Sequence, residues 1–267
     1  MISLLRRKLI FGIVFFQLAS CGKAINETES NFSPLTVDME SMRWGMEDFP
    51  LNIKVSENLN VRSQALIGSS LDEWERAVNI DFFQALETTP VLNFSKLSDY
   101  YYKDKLVHGI YLADTKVEEL STPTLAVTQI IFYTNRETPS KPYYHIVHTD
   151  IVINGYDYTF STNPFDNSSY YLLTLVLHEV GHVLGLGHQN QGIMYPSMST
   201  QDKQESLNPF DVNLISEKYE SLKPALKSAE TIKAYTPEPG ELKRVLLFLP
   251  AAPFLANKRL NIQRRAH

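Results

Sequence analysis

The chain has 267 residues but a single cysteine, Cys21, so no intrachain disulfide staples the fold. Its apolar runs are short. Leu9 to Leu18 and Val245 to Leu255 both fall below the roughly 20 residues that a membrane-spanning helix needs, and the second run also carries two prolines. Positive charge is scarce where most of the residues lie. Residues 1–20 hold three basic side chains and no acids, residues 21–221 hold 13 basic against 27 acidic, and residues 222–267 hold nine against three, which together give −5. An acidic middle excludes nucleic acid as the main partner, because phosphate binding needs a basic surface. No internal repeat or low-complexity block is present. What the chain does have is an ordinary globular composition, 43% hydrophobic and 21% charged, enough for one sizeable domain with extensions but not for two large ones.

Arg6, Arg7 and Lys8 precede the first apolar run and small residues follow it, the order of an export signal. The stretch Leu18-Ala19-Ser20-Cys21-Gly22 resembles the lipobox of bacterial lipoproteins, in which the signal peptide is cut before a cysteine that is then lipidated. That resemblance implies a signal peptide over residues 1–20, lipidation at Cys21, and an exported protein anchored to a bacterial membrane, at the outer membrane or cell surface. A plain signal peptide that happens to contain a cysteine is the alternative. Residues 21–41 are polar and without periodicity, and they read as a tether. The basic residues 222–267 read as a C-terminal tail that either packs on the domain or is disordered.

Between these ends, residues 42–221 carry the pattern of one folded domain. Order is expected to begin near Arg43-Trp44, and Leu51 to Val55 alternates as a half-buried strand does. Leu66, Ile67, Leu71, Trp74, Ala77 and Val78 recur at helical spacing within an expected helix from Ser63 to Leu86, with Trp74 as a core anchor. Short β-rich runs follow at Val91 to Phe94, Gly109 to Ala113, Thr124 to Tyr133 and His145 to Asn154. A strongly apolar helix is expected from Tyr170 to Leu184, capped by one of Asp166 to Ser169, and a last helix from Pro209 to Tyr219.

Polar residues inside so apolar a helix need a reason. His178 and His182 are four residues apart, so on an α-helix their imidazoles leave the same face and can bind one metal ion. Glu179 stands beside the first of them. Gly185 can end the helix in a left-handed conformation at little cost, and the chain then returns to present His188 as a third ligand. Three imidazoles leave one position open, as in catalytic zinc sites. At typical residue frequencies the bare HExxH pattern arises by chance in a chain of this length roughly once in 100, and the added glycine and histidine lower that to about once in 100,000.

His178-Glu179-Val180-Gly181-His182-Val183-Leu184-Gly185-Leu186-Gly187-His188 resembles the extended zinc signature of the metzincin peptidases, and Ile193-Met194-Tyr195-Pro196 resembles their Met-turn. Within that clan, the short gap to the methionine and the Met-Tyr-Pro triplet are most similar to the matrixins. The resemblance implies an α+β catalytic domain in which a twisted mixed sheet packs on helices and the active-site helix carries HExxH. It implies one catalytic zinc ion held by His178, His182 and His188. It also implies a zinc-dependent endopeptidase that cuts peptide bonds with a zinc-activated water and Glu179 as general base. Met194 would be a hydrophobic floor under the metal, and Tyr195 and Pro196 would line a substrate pocket. The run Thr124 to Gln129 is a candidate sheet-edge strand that pairs with an extended substrate, or else an ordinary strand.

The chain departs from the animal matrixins in two ways. They cap the zinc with a prodomain cysteine, whereas the lone Cys21 is claimed by the lipobox. They hold a second zinc with histidines near the edge strand, whereas Thr124 to Ile131 has none, and the spacing of His108, His145 and His148 does not reproduce that site. Calcium is possible through Asp150, Asp157 and Asp166, although no loop has a calcium-ligand order. The expected partners are a protein or peptide substrate and a membrane, with the chain acting as a monomer. Two other readings stay open, an inactive metzincin-fold adhesin or binding lipoprotein and a zinc hydrolase of a non-peptide bond.

Overall fold

A computed structural model describes residues 22–25, 39–103, 107–120, 123–137, 142–219 and 242–252. The expected signal peptide, Cys21 and most of the tether lie outside the described residues. In chain order the elements are β1 (Gly22–Ile25), β2 (Met42–Arg43), β3 (Ile53–Ser56), α1 (Val61–Val78), β4 (Glu87–Thr89), α2 (Leu97–Lys103) and β5 (His108–Leu112). They continue with β6 (Thr124–Glu137), β7 (Pro142–Ile153), β8 (Phe160–Ser161), β9 (Tyr170–Tyr171), α3 (Leu172–Val183), α4 (Pro209–Tyr219) and β10 (Leu242–Pro250).

The sheet runs β1-β10-β6-β7-β5-β3-β4, with β2 also paired to β7. Strands β2, β3, β4, β5 and β7 pair in parallel, while β6, β10 and β1 each pair antiparallel to their neighbours. This is a mixed sheet packed on helices, the expected α+β class. The main core joins one face of the sheet to α1 and α3, and a smaller cluster, including Leu97, Tyr100, Val127, Val152 and Leu246, lies on the other face.

Helix α1 starts where Asn60 accepts a hydrogen bond from the Ser63 N–H (2.9 Å). It ends earlier than its periodicity suggested. Asn79 takes the left-handed conformation (φ 52°), which a short polar side chain tolerates, and so the helix stops at Val78 rather than Leu86. Phe82 still reaches the core, but from irregular chain. The expected strand at Val91 to Phe94 does not form, and β4 lies just before it at Glu87–Thr89.

Helix α3 is buried along its whole length. None of Asp166 to Ser169 caps it. Asp166 instead accepts from the Ser168 N–H (2.9 Å) in a local turn, and Tyr170–Tyr171 pairs with Phe160–Ser161 before the helix begins. Both tryptophans brace α3. The Trp74 Nε1–H donates to the Leu177 carbonyl (3.0 Å) and the Trp44 Nε1–H to the Val183 carbonyl (2.8 Å), near the end where helix carbonyls lack partners within the helix. The Tyr219 hydroxyl, brought by α4, donates to the Leu184 carbonyl (3.0 Å).

The far end of the chain changes the expected boundary at 221. Leu242–Pro250 is a strand of the main sheet and not a free tail, since Val245, Leu247 and Leu249 face the core that contains α3. Among the described residues no helix is long and apolar enough to cross a membrane.

Candidate metal centre and active site

Helix α3 sets His178 and His182 on one face, and the turn after it brings His188 back to them. Gly185 has φ +81°, and its N–H donates to the His182 carbonyl (2.8 Å), so the chain reverses within two residues of the helix end. The candidate ligand atoms of the three histidines all lie within 4.8 Å of one another. The Nε2 atoms of His182 and His188 are 3.2 Å apart. Two ligands held 2.0–2.1 Å from a tetrahedral ion are about 3.3 Å apart, so this spacing fits zinc.

The other ring nitrogens set the tautomers. His178 Nδ1 lies 2.7 Å from the Ile193 carbonyl and His182 Nδ1 lies 2.7 Å from the Leu186 carbonyl. A carbonyl can only accept, so each Nδ1 carries the proton and each Nε2 keeps a lone pair for a metal. Burial lowers His178 to about 3 and His188 to about 4, and carries His182 well below the ordinary histidine value, so all three are neutral near pH 7. The His178 Nε2 is buried with no hydrogen-bond partner, as is Glu179 Oε1. Unpartnered buried polar atoms are costly, and a cation among the three Nε2 atoms removes the cost.

Glu179 is fully buried, and burial pushes its carboxyl up to about 8 despite the Thr128 hydrogen bond. The Thr128 hydroxyl, on β6, donates to Oε2 (2.5 Å), which leaves Oε1 free of protein partners. The carboxyl group is thus held at one oxygen and free of protein partners at the other.

Met194 is fully buried beneath the histidines' helix, and a Cβ on Gly181 would collide with its sulfur. The Met-turn is pinned from behind by Asp211, whose Oδ1 accepts from the Ile193 N–H (2.9 Å) and whose Oδ2 accepts from the Asn208 N–H (3.2 Å). The residue was missed because its sequence signal is ambiguous. Asn208 accepts from the Phe210 and Asp211 N–H groups, so Asn208 to Asp211 reads as a helix cap and hides the second task of the carboxylate.

A cavity of about 340 Å³ opens beside His178, with Thr174, Ile193, Tyr195, Met198 and Leu249 in its wall. Tyr195 lines this cavity. Pro196 is not a lining residue, and Ser197 and Met198 line the wall after it. Thr124 to Gln129 is a strand beside α3 but not a sheet edge, because β10 covers it.

Among the described residues, the remaining histidines, His108, His145 and His148, do not build a three-histidine site. His148 Nε2 pairs with Asp150 Oδ2 (2.7 Å), His145 Nε2 pairs with Asp48 Oδ2 (2.9 Å), and His108 Nδ1 accepts from the Thr149 N–H (3.3 Å). Among the described residues, the other group able to hold a cation is Glu47, Asp48 and His145. Asp150, Asp157 and Asp166 are not brought together there.

A buried helix that presents two histidines and a glutamate, a glycine turn that returns a third histidine, and a methionine packed below them resemble the metzincin arrangement. Residues 113–220 match the model of the matrixin family of peptidases, and this similarity supports a matrixin-like domain with a metallopeptidase type of function. No match was found among curated proteins.

Proposed function

We propose that the domain is a zinc-dependent endopeptidase, with His178, His182 and His188 as the metal ligands and Glu179 as general base. The observation that carries this reading is the pair of buried, unpartnered atoms, His178 Nε2 and Glu179 Oε1, on consecutive residues of one helix. A zinc ion held by His178, His182 and His188 would supply Lewis acidity towards a carbonyl and a water. The chain does the rest. Glu179 Oε1 takes the proton of the attacking water and returns it to the leaving amine, while Thr128 keeps the carboxylate from rotating away. The Ile193 and Leu186 carbonyls hold two of the imidazoles in the ligating tautomer. Tyr195 and Met198 shape the cavity that accepts a substrate side chain. Lipidation at Cys21 would place this chemistry at the outer face of a bacterial membrane.

The test compares the zinc-loaded chain with Glu179→Gln on a fluorogenic peptide library. The variant keeps its zinc and loses at least about 100-fold in kcat, the scale of general-base catalysis. Undiminished cleavage would remove Glu179 from its role. A stoichiometrically loaded chain that cuts no peptide under any condition would sink the peptidase reading. Cys21→Ser moves the chain from the membrane fraction to the soluble one, and retention in the membrane would rule out the lipid anchor.

A further inference from the structure

The sheet strand that touches Glu179 is β6, through Thr128. The side of β6 away from β7 is taken by the chain's own C-terminal segment. β10 pairs antiparallel with it from Leu242 opposite Tyr133 to Pro250 opposite Thr124, with a bulge between Leu249 and Pro250. The segment does not stop at the sheet. The Met198 N–H, in the loop after the Met-turn, donates to the Pro250 carbonyl (3.1 Å), and the Ala252 N–H donates back to the Met198 carbonyl (2.7 Å). On the other side, the Ala251 N–H donates to the Pro123 carbonyl (2.7 Å). An extended peptide is therefore gripped by main-chain bonds from both walls, with Leu249 reaching into the cavity whose wall includes His178 and Tyr195. Leu249 is 1% exposed.

Main-chain pairing along an edge strand combined with a side chain in an adjoining pocket is how proteins bind extended peptides. Here the peptide lies outside the region that matches the matrixin family, which ends at residue 220. We infer that residues 242–252 are a resident occupant of the substrate cleft, a covalently tethered peptide that covers the active site until it is displaced. The inference rests on the endopeptidase reading above. It assigns latency to the C-terminal segment in a chain whose only cysteine lies at residue 21. Because the segment is tethered through residues 220–241, its binding is intramolecular and needs little intrinsic affinity to compete with free substrate. Substrate is admitted when β10 leaves β6, and the outer edge of β10 is itself paired to β1.

The test uses the full chain carrying Cys21→Ser, loaded with zinc, in a lock and a release. Val127 and Phe248 are directly opposed, and antiparallel partners lie about 4.5–5.5 Å apart at Cα, within disulfide reach. Val127→Cys with Phe248→Cys ties β10 down when oxidised and frees it when reduced with a phosphine that leaves the metal in place. Leu249→Asp puts a carboxylate at a position that is buried in the hydrophobic core and drives the segment out. If β10 is seated at least nine-tenths of the time, release raises kcat/KM on extended peptides by about tenfold or more, and the oxidised lock falls below the reduced form by at least as much at equal zinc content. Faster hydrogen exchange of the Thr124 to Ile131 amides in Leu249→Asp accompanies the gain. Equal activity in the oxidised, reduced and released chains overturns the resident-occupant proposal and leaves the peptidase reading standing. So does a released variant that is less active while its β6 amides exchange faster, since β10 would then be a required strand. If the reduced and released forms bind zinc and cut nothing, the peptidase reading fails and this proposal falls with it.

Discussion

Replacing Asp211 with alanine tests how the metal centre is supported from outside. The carboxylate is fully buried and accepts two backbone N–H groups, from Ile193 at 2.9 Å and Asn208 at 3.2 Å. The Ile193 N–H is buried and would be left without a partner, at about 1–3 kcal/mol, whereas the Asn208 N–H is only partly buried and would recover some of its loss from water. The sum is about 2–4 kcal/mol, or roughly 4–16 °C in melting temperature for a domain of this size. Asparagine should cost less than alanine because its one carbonyl oxygen can still serve Ile193. The effect should also reach the metal. The Ile193 carbonyl holds the His178 Nδ1–H at 2.7 Å, and loosening such an outer partner typically weakens metal binding by about 10–100-fold. Urea unfolding of the zinc-free chain measures the first effect, and competition against a chromophoric chelator measures the second. A zinc affinity unchanged in Asp211→Ala, beside a stability loss of the expected size, would break the link drawn from Asp211 through the Met-turn to His178. A stability within about 0.5 kcal/mol of the parent would refute the burial argument itself.

Gly181→Ala puts a methyl group against the Met194 sulfur and the Trp74 ring, and overpacking of this kind costs about 1–3 kcal/mol; a variant as stable as the parent in urea would mean that Met194 moves aside freely. Thr128→Val keeps the volume but removes the hydroxyl that holds Glu179 Oε2, so kcat should fall about tenfold with zinc content and KM unchanged, whereas a shifted KM alone would assign Thr128 to substrate binding. Burial, reinforced by neighbouring His148, lowers His108 to about 4 from 6.5. Its unfolded form therefore binds the proton first, so its contribution is complete above pH 6.5 and is lost as pH falls towards 4, by about 2–3 kcal/mol. Urea unfolding at pH 7 and pH 4.5 should show a smaller acid loss in His108→Asn than in the parent, and parallel losses would refute the assignment.

Much of the site was legible because its parts are local. The i, i+4 spacing of His178 and His182 becomes a shared face on any α-helix, and Gly185 marks the reversal that returns His188. Both follow from backbone geometry within a dozen residues. Helix α4 was readable from Pro209 to Tyr219 for the same reason. Elements failed where a local choice had two near-equal outcomes. Asn79 could continue α1 or turn left, and the turn moved Phe82 into the core from irregular chain. Asp166 could cap α3 or close its own turn with Ser168, and the pairing of β9 with β8 fixed the second.

The roles of Thr128, Asp211 and Leu249 had no comparable local signal. Thr128 reaches Glu179 across 51 residues and Asp211 reaches Ile193 across 18. The apolar run Val245 to Leu249 is an evident strand former by composition, but composition does not name its partner. Pairing along a sheet edge is decided by which edge stays open after the other strands have docked, and by a register set over more than 100 residues of chain. A reader of the residues alone could therefore bring the three histidines and Glu179 together, and had Thr124 to Gln129 either as an edge strand for a substrate or as an ordinary strand. That the C-terminal segment pairs along it depends on long-range pairing, which only the folded molecule resolves.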